Sequence, residues 1–368
     1  MQVQGSESTG ESAGESLTFS ESIDTQSFLG LSVKNGLLNL ITLTLYRFWG
    51  RTEVRRRVWS HISLNGEAFE YTGTGRELFI GFLIALFTVG LPFLLVVGGA
   101  QFLGPAFAVL IILPLYLALP VLLGAAIFFA FRYMASRTVW RGVRFSLKGS
   151  PWDYGLSTLG YGLLTGITFG WFQPAASMRL AEKLWGNLRF GDLKVRWARR
   201  EDEGLYGWFA LGWAGVLVGY FIFAFVLVGS MLATGAMADP ENPSAGPSAM
   251  FMAITYAWAL VFAVYVMLIF APYNAALLRA IIGSLKIGDA RFTLNLKALD
   301  LLGLTVTNVL MLIFSFGLLS PFIQARTARF MVRRLTASGL APLADANQAE
   351  RGPGSGEGMA DAFGFSPI

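Results

Sequence analysis

Residues 78–131 read LFIGFLIALFTVGLPFLLVVGGAQFLGPAFAVLIILPLYLALPVLLGAAIFFAF, a run without a single charged side chain. About 20 apolar residues are enough to cross the roughly 30 Å hydrocarbon core of a bilayer. The run therefore predicts two membrane-crossing helices. Their connecting turn is expected near Gly98-Gly99-Ala100-Gln101 or near Gly104-Pro105, where small residues and proline interrupt the apolar pattern.

A second apolar run, residues 204–278, is interrupted only by Asp239 and Glu241. Both acids fall in a stretch rich in Pro, Gly and Ser, which is typical of a loop. The arms on either side, 204–238 and 242–278, are each long enough to cross the membrane. The sequence thus predicts four crossing helices arranged in two hairpins.

The composition excludes most soluble classes of protein. Of 368 residues, 54% are hydrophobic and 14% are charged, whereas a soluble domain carries about 25% charged residues. The chain has no cysteine and one histidine, His61, which excludes thiolate and His-based metal sites. Phosphate-loop, zinc-protease and nucleophile-elbow motifs are absent from the sequence. We expect a membrane protein that is not an enzyme and that holds no metal and no cofactor.

Three further apolar segments, 29–49, 154–178 and 300–325, are ambiguous because length alone does not decide whether they cross. The cations do decide: 25 of the 28 Lys and Arg residues fall in five strips, and the loops near 98–105 and 234–249 hold none. The strips are 50–77, 132–154, 175–204, 279–300 and 324–334. Short cytoplasmic loops carry the excess of Lys and Arg. All five strips are therefore expected in the cytoplasm, and the three segments are expected to be re-entrant or interfacial.

The predicted fold class is an all-α integral membrane protein with both termini in the cytoplasm. Residues 28–336 are expected to form the membrane domain. The acidic and polar residues 1–27 predict one disordered tail, and the Ala/Gly/Pro/Ser-rich residues 337–368 predict another.

An internal similarity divides this membrane domain. The pattern Phe-Gly-x-x-x-Pro-x-x-x-x-Arg occurs at residues 169–179 and again at 316–326. At the same spacing the first segment has Leu45, Tyr46, Gly50 and Arg55. We expect a parallel internal repeat, unless similar membrane constraints alone produced the pattern. Its parts would be repeat one at about 29–150, repeat two at about 151–297 and a third segment at 298–336.

Four short motifs beside the basic strips predict small cytoplasmic β-hairpins. Each places Gly, Asn-Gly or Gly-Asp between apolar, β-prone residues, which is a signal for a tight turn between two strands. The motifs centre on Asn65-Gly66, Arg141-Gly142, Gly191-Asp192 and Gly288-Asp289.

The chain resembles the YjgN-like family, whose members are bacterial inner-membrane proteins with a domain of unknown function, at Leu43–Trp49, Arg55-Arg56, Ser60-His61 and Leu64–Gly73. The most specific part is Leu64, Gly66, Phe69, Tyr71 and Gly73, and weaker similarity covers residues 19–337. The sequence departs from the family at Ile62, Ser63 and Asn65, where Thr, Arg and Asp are usual. The resemblance implies an inner-membrane location but no activity. The positions that it singles out are His61, Asn65, Gly66, Phe69, Tyr71 and Gly73.

Two further sets of residues are candidates for function. Cations beside spans attract anionic headgroups, by about 1 kcal/mol per residue, although the same cations can serve only to orient the protein. The candidates for lipid or anion binding are Arg51, Arg55, Arg56, Arg57, Arg179, Lys183, Arg326 and Arg329. Polar groups inside the ambiguous segments either line a substrate path or bind one another. These groups are Asn35, Asn39, Thr165, Thr168, Asn308 and Ser315.

Two functional hypotheses follow. Parallel repeats around polar, glycine-rich broken segments occur in some transporters, so the leading one is a transport or channel-like role for a small or amphiphilic solute. The alternative is a non-transporting, membrane-organising or partner-binding protein with a basic, lipid-binding cytoplasmic face. Anionic membrane lipids are the expected partners and nucleic acid is not; a protein partner or a homo-oligomer stays open.

Overall fold

The computed structural model describes residues 14–100, 102, 105–199, 204–233 and 248–347. Within these ranges the helices are α1 Ser27–Ile41, α2 Arg47–Trp59, α3 Gly75–Ala85, α4 Leu91–Ala100, α5 Pro105–Arg137, α6 Pro151–Ile167, α7 Gln173–Trp185, α8 Leu205–Ala233, α9 Ala249–Ile269, α10 Ala271–Gly283, α11 Ala298–Phe314 and α12 Ser320–Val332. The strands are β1 Glu15–Ser16, β2 Phe19–Glu21, β3 Ile62–Leu64, β4 Glu67–Ala68, β5 Glu70–Tyr71, β6 Thr138–Trp140, β7 Val143–Leu147, β8 Leu188–Phe190, β9 Leu193–Lys194, β10 Arg196–Trp197, β11 Leu285–Ile287, β12 Ala290–Leu294, β13 Leu335–Ser338 and β14 Leu340–Ala341. A π-helical turn at Leu86–Gly90 joins α3 to α4, and a 3-10 turn covers Leu343–Asp345.

Four helical stretches are long and apolar enough to cross a membrane, which confirms that part of the prediction. They are Gly75–Ala100, Ala108–Arg137, Leu205–Ala233 and Ala249–Ile269. Of the two predicted turn positions in the first pair, the later one fits, because α4 continues through Gly98 and Gly99 while α5 begins at Pro105. The predicted loop around Asp239 and Glu241 lies outside the described residues.

The chain forms two compact units. The first takes in residues 1–200, 281–295 and 307–368, and the second takes in 201–280 and 296–306. In the second unit α8 packs closely on α9. A β-carbon placed at Gly215 or Gly219 of α8 would collide with the side chain of Ile269 or Tyr265, and one at Gly212 would be in tight contact with Phe270.

The strands of the first unit join edge to edge in a closed ring of antiparallel pairs. Four of the strands are bent, and the two halves of a bent strand pair with different neighbours. Each bent strand carries two labels, one for each half: β1–β2, β4–β5, β9–β10 and β13–β14. The pairs in order are β2·β3, β3·β4, β5·β6, β6·β7, β7·β8, β8·β9, β10·β11, β11·β12, β12·β13 and β14·β1. We call this the strand ring. It contains ten strands when each bent pair is counted as one.

The strand ring shows where the sequence-based boundaries were wrong. Residues 14–27 were expected to be disordered, but β1 and β2 pair there with β14 and β3. The same holds for 337–347, which contain β14 and a 3-10 turn. Both stretches are ordered because they complete the ring. The four predicted turns exist, with φ near 50° at Asn65 and Arg141 and near 60° at Gly191 and Gly288, but their strands form one ring with additional strands.

The three ambiguous segments are helical hairpins of one design. They are α1–α2, α6–α7 and α11–α12, each with a first helix of 15 or 17 residues and a second helix of 13. In each connecting turn a hydroxyl accepts a hydrogen bond from the backbone N–H four residues later, at 2.9 to 3.2 Å. The hydroxyls belong to Thr42, Thr168 and Ser315. We call these elements the three hairpins and their turns the hairpin tips.

The geometry of the turns corrects the register of the sequence comparison. The residue after each hydroxyl has φ of 49° or 50°, and these residues are Leu43, Phe169 and Phe316. Leu43 and Thr44, rather than Leu45 and Tyr46, therefore correspond to the two Phe-Gly pairs. The Pro and Arg positions of the motif then correspond to Phe48 and Glu53, so the sequence comparison was two residues out for the first segment.

A buried carboxylate ties β2, the strand that precedes the first hairpin, to the end of the third hairpin. Glu21 at the end of β2 has a side chain that is 6% exposed, and its Oε1 accepts hydrogen bonds from Arg333 at 2.5 Å and from Arg329 at 3.3 Å. Burial acts to raise the pKa of this carboxyl. The hydrogen bonds from Arg333, from the Ile23 N–H and from Arg329 outweigh it, and the pKa lies below its ordinary value.

We expect Glu21→Gln to lower the free energy of unfolding by about 1–3 kcal/mol, because it weakens charge-assisted bonds at a buried site. A carboxyl whose pKa is lowered by folding stabilises the fold above its unfolded pKa and loses that effect as the pH falls through the folded pKa. The loss should therefore be largest at neutral pH and vanish in acid. Thermal unfolding in detergent micelles between pH 7 and pH 3 measures it.

The control is Glu53→Gln, which removes the pair of Glu53 with Lys34 at 2.7 Å. Both of these side chains are more than a third exposed, so we expect a loss of at most about 1 kcal/mol. Equal losses for the two variants would contradict the role given to Glu21.

Candidate functional site

An apolar cavity of about 240 Å³ lies inside the strand ring. Alternate residues of a strand point to opposite faces, and β2, β3, β6, β7, β8, β11, β12 and β13 direct apolar residues into this cavity. All the lining side chains are hydrophobic, and seven are aromatic: Phe19, Phe69, Trp140, Phe145, Trp185, Phe190 and Phe292. The interior is therefore suited to a hydrocarbon and not to a polar solute.

Aromatic contacts hold the wall of this cavity. The rings of Phe145 and Phe190 lie 4.9 Å apart and those of Trp140 and Phe190 lie 5.6 Å apart. The indole N–H of Trp140 donates to the carbonyl of Glu67 at 3.1 Å, which fixes the ring against the strand wall. A barrel of about eight strands is filled by its own side chains or holds one small ligand. Ten strands leave more space than rigid rings fill.

A second apolar cavity, of about 370 Å³, adjoins the first. It reaches the part of the first unit where the strands meet the helices, since Trp59, Phe131 and Met134 line it. The side chains that border both cavities are Phe69, Phe145, Trp185, Leu188 and Leu335. These five form a partition between the ring interior and the helices.

The C-terminal residues of the described chain pack against one end of the ring. Leu343, in the 3-10 turn after β14, is 5% exposed and lines the first cavity. The N–H of Asn347 donates to the Asp192 carboxylate at 3.0 Å, and the Asp192 N–H donates to the Asn347 carbonyl at 3.2 Å. These C-terminal residues thus pack against the ring on the side of the β-turns, and Leu343 covers part of the cavity there.

The hairpin motif found in the sequence forms part of the ring wall. Asn65 takes φ of 51° and Gly66 φ of 82° in the turn between β3 and β4. The Asn65 Oδ1 accepts from the Thr18 N–H at 2.8 Å and its Nδ2 donates to Glu15 at 3.2 Å. Phe69 borders both cavities. These contacts bind the turn to the strand formed by β1 and β2.

Arg55 lies inside the protein, although the sequence placed it among the headgroup-binding candidates. It is 1% exposed, and its Nη1 donates to the Tyr71 hydroxyl at 3.4 Å. Trp59 packs on the same tyrosine, with ring centroids 5.7 Å apart. A β-carbon at Gly73 would lie 2.6 Å from this ring, so glycine is required there. The Arg55 guanidinium is thus packed under Tyr71 and is not exposed at the surface.

The other basic candidates are spread over α2, α7 and α12 and do not form one site. Several of them bind groups within the chain. Arg56 donates to the Gly73 carbonyl at 3.0 Å, and Arg326 donates to the Thr307 hydroxyl at 2.7 Å. Lys183 pairs with the Asp153 carboxylate at 2.9 Å, and Arg329 pairs with the Glu21 carboxylate. The guanidinium of Arg57 lies 5.1 Å from the Phe28 ring, and Arg51 is half-buried. The exposed Arg179 lies over Tyr161 and Phe172. Lipid binding by these residues stays a prediction.

His61 and the polar residues of the hairpins also take local roles. The His61 Nδ1 lies 2.7 Å from the Arg57 carbonyl. Thr168 and Ser315 shape the hairpin tips, as described above. The remaining polar candidates stay within their helices or hairpins: Thr165 donates to the Tyr161 carbonyl, Asn308 to Thr327, and Asn35 and Asn39 lie on one side of α1.

The cavity residues outside the hairpin motif were missed by the sequence reading. The alternation of apolar and polar residues that marks a strand is weak here, because the strands have only two to five residues each. Phe190, Val195 and Phe292 alternate with charged or polar residues, which is the pattern of a strand with one buried face. That pattern could have identified the inward positions but not the ring.

Comparison with known proteins identifies the family but not a function. A family model described as "Bacterial protein of unknown function (DUF898)" matches residues 17–362. The chain belongs to this family. The family is the one named YjgN-like above, so the resemblance found in the sequence is confirmed. Neither the curated proteins nor the solved structures that were compared contain a match.

We expect Asn65→Ala to destabilise the protein by about 1–3 kcal/mol, because alanine disfavours a positive φ and leaves the Thr18 N–H without its acceptor. Asn65→Asp keeps the acceptor and the tolerance of this conformation, but it loses the donor to Glu15 and places a second carboxylate beside it. Its loss should therefore be smaller than that of Asn65→Ala and should shrink further when the pH is lowered. Thermal unfolding of the two variants in the same detergent tests this. Equal losses would show that the side-chain oxygen does not matter.

Proposed function

We propose that this protein binds the hydrocarbon chain of an amphiphilic molecule in the strand ring and moves that molecule between the membrane and the cytoplasmic side. The observation that carries the proposal is the wholly hydrophobic lining of the cavity. Together with its neighbour at the helical end, this cavity reaches the size range of about 300–1,000 Å³ that is usual for small-molecule sites. Each buried methylene group contributes about 0.8 kcal/mol, so an alkyl chain supplies ample binding energy.

The placement in the membrane rests on the distribution of charge. Four apolar helices support a membrane protein, and the cation-rich strips favour a cytoplasmic position for the strand ring and for both ends of the chain. With this orientation the three hairpins enter from the cytoplasmic side and return to it. The location is then the bacterial inner membrane, as the family resemblance implies.

The test measures binding of tritiated palmitate to the full-length protein in detergent micelles. Leu188 borders both cavities, so Leu188→Trp should fill the partition and weaken binding about tenfold or more, which corresponds to about 1.4 kcal/mol. The matched control is Leu340→Trp, which adds the same side chain at a position that is 53% exposed. This control should bind palmitate like the unaltered protein.

Two results would refute the proposal. One is the lack of saturable palmitate binding, and the other is equal binding by Leu188→Trp when thermal unfolding shows that the variant is folded. Transfer of a fluorescent phospholipid between vesicles that contain the protein tests the transport part. Saturable binding without faster transfer would contradict transport and leave a binding protein.

A second candidate function has its own observation. On the outer face of the strand ring, cations lie directly opposite one another: Arg189 opposite Lys194, Arg196 opposite Lys286, and Lys286 opposite Arg291. Like charges in such pairs destabilise a sheet. A surface that keeps them favours an anionic partner, so the alternative is a membrane-organising protein whose outer ring face binds anionic lipid headgroups.

The variant Lys286→Glu separates stability from binding on this face. It converts two repulsive cross-strand pairs into attractive ones, so we expect a gain of about 0.5–2 kcal/mol in the free energy of unfolding. Binding to vesicles that contain anionic lipid should weaken at the same time. Unchanged vesicle binding would argue against this second function, and palmitate binding should not change.

A further inference from the structure

The hairpin tips expose large apolar side chains at equivalent positions. Leu43 is 84% exposed, Phe169 is 81% exposed and Phe316 is 93% exposed. The residue two positions earlier is exposed as well: Ile41 at 77%, Ile167 at 74% and Phe314 at 78%. Each tip therefore presents a pair of apolar side chains away from the rest of its unit.

The backbone at these positions makes the exposure more informative. Leu43, Phe169 and Phe316 hold φ of 49° or 50°, a conformation that residues with bulky side chains rarely adopt. Glycine or asparagine would suit a water-exposed turn better. A turn that keeps a large apolar side chain in a strained conformation, in three places, favours an apolar environment around it.

Charged groups mark a common level on two hairpins. Arg179 and Arg326 are each the seventh residue of the second helix, about 9 Å along its axis from the tip at 1.5 Å per residue. Further from the tip of α6–α7, Lys183 binds Asp153 at 2.9 Å. This ion pair lies about 15 Å from the tip along α7 and about 21 Å from it along α6. One leaflet contributes about 15 Å of hydrocarbon. Between tip and ion pair there is thus room for one leaflet and not for two.

The first hairpin differs from the other two. Arg47 begins α2 at the tip itself, with its guanidinium 4.8 Å from the Phe48 ring and 5.2 Å from the Phe82 ring. A long cationic side chain reaches towards the headgroups while its stem stays in an apolar layer. A tip with such a residue is held near the membrane surface.

We propose that the tips of α6–α7 and α11–α12 insert into the hydrocarbon of the cytoplasmic leaflet to a depth of about 9–15 Å, and that the tip of α1–α2 lies closer to the headgroups. This inference rests on the membrane orientation proposed above and not on the cavity of the strand ring. The partner is the acyl region of a single leaflet. The three hairpins then anchor the ring to the membrane without crossing it.

The chain has no cysteine, so single-cysteine variants can be labelled without background. Leu43→Cys, Phe169→Cys and Phe316→Cys, each with a fluorescent label, are placed in inverted vesicles with quencher-bearing lipids. The quencher is attached either near the headgroup or at mid-chain. Labels at 169 and 316 should be quenched several-fold more by the mid-chain quencher, and the label at 43 more by the headgroup quencher. Asp289→Cys, in an exposed turn of the ring, is the control, and aqueous iodide should quench only that label.

Three outcomes overturn the inference: iodide quenching at 169 or 316, no quenching of these labels by either lipid, or equal depth for all three tips. Failure of the orientation is recognised separately. If iodide does not reach Asp289→Cys in inverted vesicles, the proposed cytoplasmic side is wrong, whatever the tip labels show. If iodide reaches it and the tip labels as well, only the insertion fails.

Discussion

Closure of the strand ring is the constraint on which the rest of the first unit depends. Its strands are too short to be stable as isolated hairpins, and an open edge would leave N–H and C=O groups unpaired. The bends at Phe69, at Val195 and at Gly339 let one strand pair with two neighbours. The last pair, Glu15 with Ala341, joins the two ends of the described chain. The first strand and the last are therefore as necessary as any between them.

The crossing helices and the turns could be read from the sequence because both depend on local properties. An apolar run such as 78–131 needs no partner to be recognised. A turn such as Asn65-Gly66 carries its conformational preference in two residues. Local signals thus gave the spans and the turn motifs correctly.

The ring and the cavity could not be read in the same way, because partner strands are far apart in the chain. β5 pairs with β6 although α3, α4 and α5 lie between them in the chain. In the same way β10 pairs with β11 although α8, α9 and α10 lie between them. The register of the hairpins was missed for another reason. The sequence comparison aligned the three segments on glycine and proline positions. The group that shapes each turn is instead a hydroxyl, that of Thr42, Thr168 or Ser315.

The cavity is difficult to explain as ordinary packing. Enclosed voids in a mutant series of another protein cost about 24 cal/mol per Å³. Where apolar space is open to water instead, as this cavity partly is, each Å² of exposed apolar surface costs about 25 cal/mol. A ring that keeps this volume and lines it only with hydrocarbon gains most when an alkyl chain occupies it.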